Sequence, residues 1–195
     1  MPSVSAIILA AGASTRMGTQ KALLPWEGTT LIEYELDQLA SLDAVREIVV
    51  VTGHEPERIS VIAAASARAR AVQNDAYKSG KASSIKTGMA AVSDDADAIM
   101  LCAVDQPRTS SILRRLIDAH LASDAPITLP VYRGRRGHPV IFSAELRDDL
   151  AAIEEGTQGV RAVLHRHATE VAAVEIDDAA VLLDLNTPED VPEGV

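Results

Sequence analysis

At 195 residues and 47% apolar side chains, the chain can fill one core without disulfides, which its single cysteine could not form within the chain. Its formal charge of −10, from 28 acidic against 18 basic residues, opposes binding to a nucleic-acid backbone, and an aromatic content of 3% leaves few rings for base stacking. No run reaches the ~20 apolar residues of a membrane span, and the opening "MPSVSAIILAAG" lacks the basic start and long apolar stretch of a signal peptide; the expected setting is the cytoplasm, with neither membrane nor nucleic acid as partner.

Strand-like and helix-like patterns then alternate. Residues 4–9 form an apolar run that reads as a first strand, followed by the loop "LAAGASTRMGTQK". "TTLIEYELDQLASL" reads as a helix, with Thr30 and Glu33 at capping-box spacing and Ile32, Leu36 and Leu39 on one face. Residues 47–53, "EIVVVTG", are rich in β-branched side chains, as a buried parallel strand is. "PERISVIAAASA" is a helix with Pro56 in its first turn, "RAVQN" a short third strand, residues 83–92 a helix and residues 97–105 a fourth strand. In "SSILRRLIDAHLAS", Ile112, Leu113, Leu116, Ile117 and His120 recur at helical spacing, and "PITLPVY" is a fifth strand. After Tyr132 the rhythm changes: "RGRRGHPVIF" is a basic turn into a short strand, followed by two brief helices, a strand near residues 171–176 and the closing "VLLDLNTPEDV". The pattern predicts an α/β protein with a three-layer, Rossmann-like fold, a mainly parallel central sheet and a small C-terminal lid-like portion that returns to the sheet. A single domain over 1–195 is expected, with residues 1–108 and 109–195 as its halves.

The glycine loop fits neither familiar phosphate-binding template. A P-loop needs G-x-x-x-x-G-K-[ST], whereas five residues separate Gly12 from Gly18 and Lys21 follows three positions later. A dinucleotide fingerprint needs G-x-G-x-x-G opening into a helix, whereas only Gly12 follows the strand promptly and Arg16 stands where a neutral close approach is required. The chemistry survives both mismatches. Ala10, Ala11 and Gly12 are small enough to let backbone N–H groups approach an anion, Ser14 and Thr15 add hydroxyls, and Arg16 and Lys21 add charge. The same residues also suit a surface turn with incidental basic side chains. In a doubly wound sheet the first and fourth strands are neighbours at the switch point, which brings Asp105 beside this loop. A carboxylate there suits a hard cation such as Mg²⁺, and in "AVDQP" it suits a turn equally well.

Other chemistry-bearing residues are weaker signals. Cys102 lies in the apolar run "AIMLCAV" and reads as a buried, inert thiol. His54, His120, His165 and His167 have no metal-ligand spacing, and "SDDADA" and "EIDDAA" read as solvated turns. "RGRRGHP" carries Arg133, Arg135, Arg136 and His138, which fit an anion clamp or, as well, a solvated hairpin tip. No G-x-S-x-G elbow is present, which argues against hydrolase chemistry.

"LAAGASTRMGTQKALLPWEGTTLIE" closely resembles the opening signature of the molybdenum-cofactor nucleotidylyltransferase-like family, LAAG-x-S-x-R-M-G followed by Lys and Leu-Leu. The resemblance continues in order through "NDAYKSGKASSIKTG", "AVDQPRTS", "GRRGHPVIF" and "LDLNTPED", and its "VDQP" and "GRRGHP" segments favour the cytidylyltransferase branch over the guanylyltransferase branch. It implies transfer of a nucleoside monophosphate, with CTP the favoured donor, to the terminal phosphate of a small molecule, foremost molybdopterin or molybdenum cofactor, with release of pyrophosphate. It implies nucleotide contacts from Leu9, Ala10, Ala11, Gly12, Arg16 and Lys21, and base and ribose contacts from Gly80 and Ser84. Asp105 and Asn186 would hold Mg²⁺, with Arg16, Lys21 and Asp105 catalytic and Arg135, Arg136 and His138 binding the acceptor. Residues 1–108 then form the nucleotide-binding half and 109–195 the acceptor-binding half, with a molybdoenzyme or its chaperone as receiver of the product. The chain departs from the branch at Asn186, where many members carry Asp, and Asp184 is the second choice for that ligand. Guanylyl transfer, a sugar-phosphate or methylerythritol-phosphate acceptor, and a non-catalytic or redox molybdenum-cofactor accessory role stay open.

Overall fold

The computed structural model describes residues 2–14 and 17–191. The first strand, β1 (Val4–Ala10), is buried almost throughout because it lies mid-sheet, where both faces are covered. A 3₁₀ turn (Lys21–Leu23) and a small hairpin of β2 (Pro25–Trp26) and β3 (Thr29–Thr30) lead into α1 (Leu31–Ala40). The helix starts at a true capping box: Thr30 Oγ1 accepts from Glu33 N, and the Glu33 carboxylate accepts from Thr30 N at 2.9 Å. The chain continues through β4 (Val45–Thr52), α2 (Glu57–Ala65), β5 (Ala69–Gln73), α3 (Lys81–Ala91) and β6 (Ala98–Ala103). It then forms α4 (Ser110–Leu121), β7 (Ile127–Tyr132), β8 (Arg135–Arg136) and β9 (Val140–Ser143), and ends with α5 (Arg147–Ala151), α6 (Val160–Arg166) and β10 (Val171–Glu175). Among the described residues no helix is long and apolar enough to cross a membrane.

The described strands build an eight-stranded sheet in the order β10-β7-β9-β6-β1-β4-β5, with β8 paired to β7. β1 runs parallel to both β4 and β6, so the first and fourth main strands are neighbours, as expected of a doubly wound sheet. Side chains alternate across β1. Val4, Ala6, Ile8 and Ala10 pack with α1, α2 and α4, while Ile7 packs with α3, α5 and α6, giving three layers. His120 belongs to this packing: its Nδ1 lies 2.9 Å from Thr128 Oγ1, and burial pushes its pKa down.

The change of rhythm after Tyr132 has a topological cause. β9 enters antiparallel between β6 and β7, and an antiparallel neighbour needs only a turn where a parallel one needs a helical crossover. The C-terminal portion thus returns to the sheet as expected, β9 lying inside it and β10 extending it beside β7 in parallel.

Gly88 lets α3 lie close on the sheet, since a Cβ there would come within 2.7 Å of Ile7 Cγ2 and 3.1 Å of Val51 Cγ2. Both neighbours are branched and fully buried, so neither can swing aside. Gly88→Val should therefore lower unfolding free energy by about 1–3 kcal/mol through overpacking. Urea denaturation checks this; an unchanged midpoint would show that α3 has room to lift.

Candidate active site

The carboxyl ends of β1 and β6 open onto one cleft of about 350 Å³. Leu9, Ala10, Ala11, Gly12 and Lys21 line it from the glycine loop, Gly80 and Ser84 from the start of α3, and Asp105 and Asn186 from the far wall. Arg16 and Thr15 lie outside the described residues.

Lys21 is the electrostatic centre of this cleft. Its Nζ donates to Asp105 Oδ2 at 2.6 Å and to Asn186 Oδ1 at 3.2 Å. The loop that carries it is pinned at several points. Lys21 N donates to Ser14 Oγ at 3.0 Å, and His54 N donates to Ala11 O at 3.2 Å. The Gln20 side-chain amide reaches back to the carbonyls of His54 and Glu55. These ties fix the described part of the loop against the end of β4.

The start of α3 is held from two sides. Buried Asn74 donates to Ser83 Oγ at 2.9 Å and Ser84 Oγ at 3.0 Å, while its own Oδ1 accepts from Ala76 N. From the other side Glu155 Oε2 accepts from Ala82 N at 2.8 Å. Gly80 is required between them: its φ is +111°, and a Cβ would lie 2.4 Å from Glu155 Cδ. The helix therefore presents its N-terminal end, carrying partial positive charge, along the cleft wall.

Asp105 and Asn186, far apart in sequence, are set in register by backbone. Leu185 N donates to Asp105 O at 2.8 Å, and the Asp190 carboxylate accepts from Asn186 N, Thr187 N and Thr187 Oγ1 at 2.7–3.0 Å. These bonds hold the Asp190 pKa below the ordinary value. Residues 183–187 form no strand, and Asp184 is exposed and does not line the cleft, whereas Asn186 does.

Arg108, which motif reading missed, ties three segments together. The residue is 4% exposed, and its guanidinium donates to four backbone carbonyls: His138 O at 2.9 Å, Pro107 O at 2.8 Å, and Val181 O and Leu183 O at 3.0 Å each. Behind Asp105 it borders a second cavity of about 10 Å³, room for one water, shared with Glu35, Cys102, Gln106 and His138. Burial pushes the Glu35 carboxyl up to about 8; Arg108 opposes that rise and Asp105 adds to it. Burial also pushes the Cys102 thiol well up, in keeping with an inert sulfur. Glu35 did leave a signal in the sequence, since it falls inside the buried stripe of α1 between Ile32 and Leu39.

The "RGRRGHP" residues are placed apart from one another. Arg135 and Arg136 are exposed on β8 opposite Tyr132 and Val131, and neither lines the cleft. His138 borders the small cavity instead. Its outer face is exposed, yet surrounding protein, with Lys81 and Arg108 nearby, holds its pKa below the usual histidine value against Asp184 and Asp105.

The cleft suits a hard cation. Asp105 and Asn186 offer one carboxylate and one amide oxygen converging on a single positive charge, and among the described residues no group of three His, Cys, Asp or Glu is placed to hold a metal ion. Such a pair suits an ion that takes its remaining ligands from phosphates and water, as Mg²⁺ does.

Residues 6–171 match the model of the MobA-like NTP transferase domain. The chain belongs to this family. It is 30% identical to the molybdenum cofactor cytidylyltransferase of Escherichia coli over 97% of this chain and 94% of that protein. It is 33% identical to the nicotine blue oxidoreductase of Paenarthrobacter nicotinovorans over 97% and 95% respectively. Among solved structures, Rv0371c of Mycobacterium tuberculosis superposes with a TM-score of 0.80 at 30% identity, covering 97% of this chain and 95% of that one. A manganese complex of Rv0371c superposes at 0.75 and 28% identity, covering 96% and 95%. The chain is thus a nucleotidyltransferase of the MobA-like family, with the family's α/β fold.

Glu35 gives this transferase a distinctive pH response. Below its ordinary value of 4.5 the carboxyl is protonated in both folded and unfolded chains and has no effect. Between there and about 8 the unfolded chain loses the proton while the folded chain keeps it, so rising pH favours unfolding. Glu35→Gln should therefore gain in Tm relative to the parent as pH rises from about 5 to about 8. Parallel melting curves across that range give the readout, and a pH-independent difference would contradict the burial argument.

Proposed function

We propose that the protein transfers CMP from CTP to the terminal phosphate of a small molecule, molybdopterin or molybdenum cofactor, releasing pyrophosphate in a Mg²⁺-dependent reaction. The observation that carries this reading is the convergence of Lys21, Asp105 and Asn186 on one point of the cleft. The pinned glycine loop and the start of α3 line the same cleft. The CTP preference and the acceptor draw support from the resemblance to the cytidylyltransferase of Escherichia coli.

The loop backbone at Leu9, Ala10, Ala11 and Gly12 would take the triphosphate, with Gly80 and Ser84 against the base and ribose. Asp105 and Asn186 would hold Mg²⁺, which supplies positive charge to the phosphoryl oxygens when bound. Lys21 would balance charge on the α-phosphoryl group, and Arg16 would grip the departing pyrophosphate. No general base is required, because a phosphate acceptor is already anionic near neutral pH; alignment and electrostatics do the work. Arg135, Arg136 and His138, in the 109–195 half, would receive the acceptor, opposite a nucleotide-binding half of 1–108. In a cytoplasmic setting the product would pass to a molybdoenzyme or its chaperone.

A redox reading has one specific support, the 33% identity to nicotine blue oxidoreductase. Against it stands the Lys21–Asp105–Asn186 cluster, for which hydride or electron transfer has no use. A pyrophosphate-release assay with Mg²⁺ and CTP, GTP, ATP or UTP, with and without molybdopterin, separates the two. CTP with acceptor should give the fastest release. Lys21→Ala should retain a cooperative melt and lose roughly 10²–10³-fold in turnover, as when a transition-state donor is removed. Absence of release with all four triphosphates, together with a redox change of nicotine blue in the presence of the protein, would favour the redox reading.

A further inference from the structure

We propose that Lys21 and the divalent cation compete for one seat between Asp105 and Asn186, so that the cation enters with a nucleotide whose phosphates draw the lysine away. The inference rests on the transferase reading above and adds an order of events to it.

The two oxygens suited to a metal are the two that Lys21 Nζ contacts, at 2.6 and 3.2 Å. A cation held by both oxygens would claim the place between them that the ammonium fills. Charge makes the exclusion sharper. The seat holds a single carboxylate, because position 186 is Asn, and Lys21 already neutralises it. The Lys21 and Asp105 side chains are only 13% and 22% exposed, so water screens a second cation poorly. A triphosphate removes the conflict by giving the ammonium new anionic partners. The bond from Lys21 N to Ser14 Oγ fixes the backbone, and the four-carbon stem leaves the ammonium free to swing. Lys21 then has two successive tasks: it guards the seat against free divalent cations, and it meets the phosphates once metal and nucleotide arrive together.

Mn²⁺ binding, followed by water-proton relaxation to separate protein-bound ion from free ion and from its nucleotide complex, tests this without turnover. Without nucleotide, Lys21→Met should bind Mn²⁺ at least about tenfold more tightly than the parent, about 1.4 kcal/mol. With α,β-methylene CTP present the gain should disappear, because the parent's lysine has then moved. Asn186→Asp should tighten nucleotide-free Mn²⁺ binding with Lys21 in place, by supplying a second carboxylate, and Asp105→Asn should abolish the site. If the parent binds Mn²⁺ with the analogue but Lys21→Met gives no nucleotide-free gain, the competition is overturned and the metal reading stands. If the parent takes up no protein-bound Mn²⁺ even with the analogue, the metal reading and the competition fall together.

Discussion

Arg108 is the constraint on which the cleft depends. The β6–α4 loop carrying Asp105, the turn carrying His138 and the strap leading to Asn186 come from three distant parts of the chain. A single guanidinium, almost sealed from water, donates to carbonyls in all three. A planar fork of several N–H donors can satisfy four acceptors in fixed directions, which a lysine ammonium cannot. With its donors used on neutral carbonyls, Arg108 is held in the interior, and burial, outweighing the attraction between the two groups, raises the pKa of the neighbouring Glu35. The strap is thereby held where Leu185 N can bond Asp105 O, and Asn186 follows into the cleft. The site chemistry is thus assembled by backbone registration first and side-chain charge second.

The same arrangement explains how an acidic protein can hold an anionic substrate. The overall charge is −10, yet the cleft brings together Lys21, Lys81 and the N-terminal end of α3. Its single carboxylate, Asp105, is already paired with Lys21. Negative charge is spread over the outer surface, in segments such as "SDDADA", where water screens it. Local neutrality at the mouth of β1 and β6 matters more to a triphosphate than the distant surplus.

Much of this was legible in the sequence wherever the cause is local. The capping box at Thr30 and Glu33, the stripes of α1 and α4 and the β-branched core of β4 each report their element through near neighbours. The adjacency of β1 and β6 followed from the alternation of elements, and it brought Asp105 to the glycine loop. Long-range causes were not legible. The acceptors of Arg108 lie up to 75 residues away and are backbone carbonyls, which carry no residue signature. Asn74 and Glu155 brace α3 through backbone and hydroxyl groups in the same silent way. Glu35 was the exception, a charged residue inside an apolar stripe, visible as an anomaly but not as a partner of Arg108. The basic turn is the opposite case: Arg135 and Arg136 stand out in the sequence, and the fold leaves them exposed on β8, beyond the residues that line the cleft.

If the cluster of Lys21, Asp105 and Asn186 serves transfer of a nucleotidyl group, the transferred phosphorus can be followed directly. The most direct measurement follows CTP carrying a radioactive label on its α-phosphorus, incubated with the protein, Mg²⁺ and molybdopterin, with products separated by chromatography. The label should move to the acceptor in step with pyrophosphate release, and Asp105→Asn should stop the movement while leaving the protein folded. Label that stays in CTP, or appears only as free CMP, with an acceptor that remains unmodified would contradict that role.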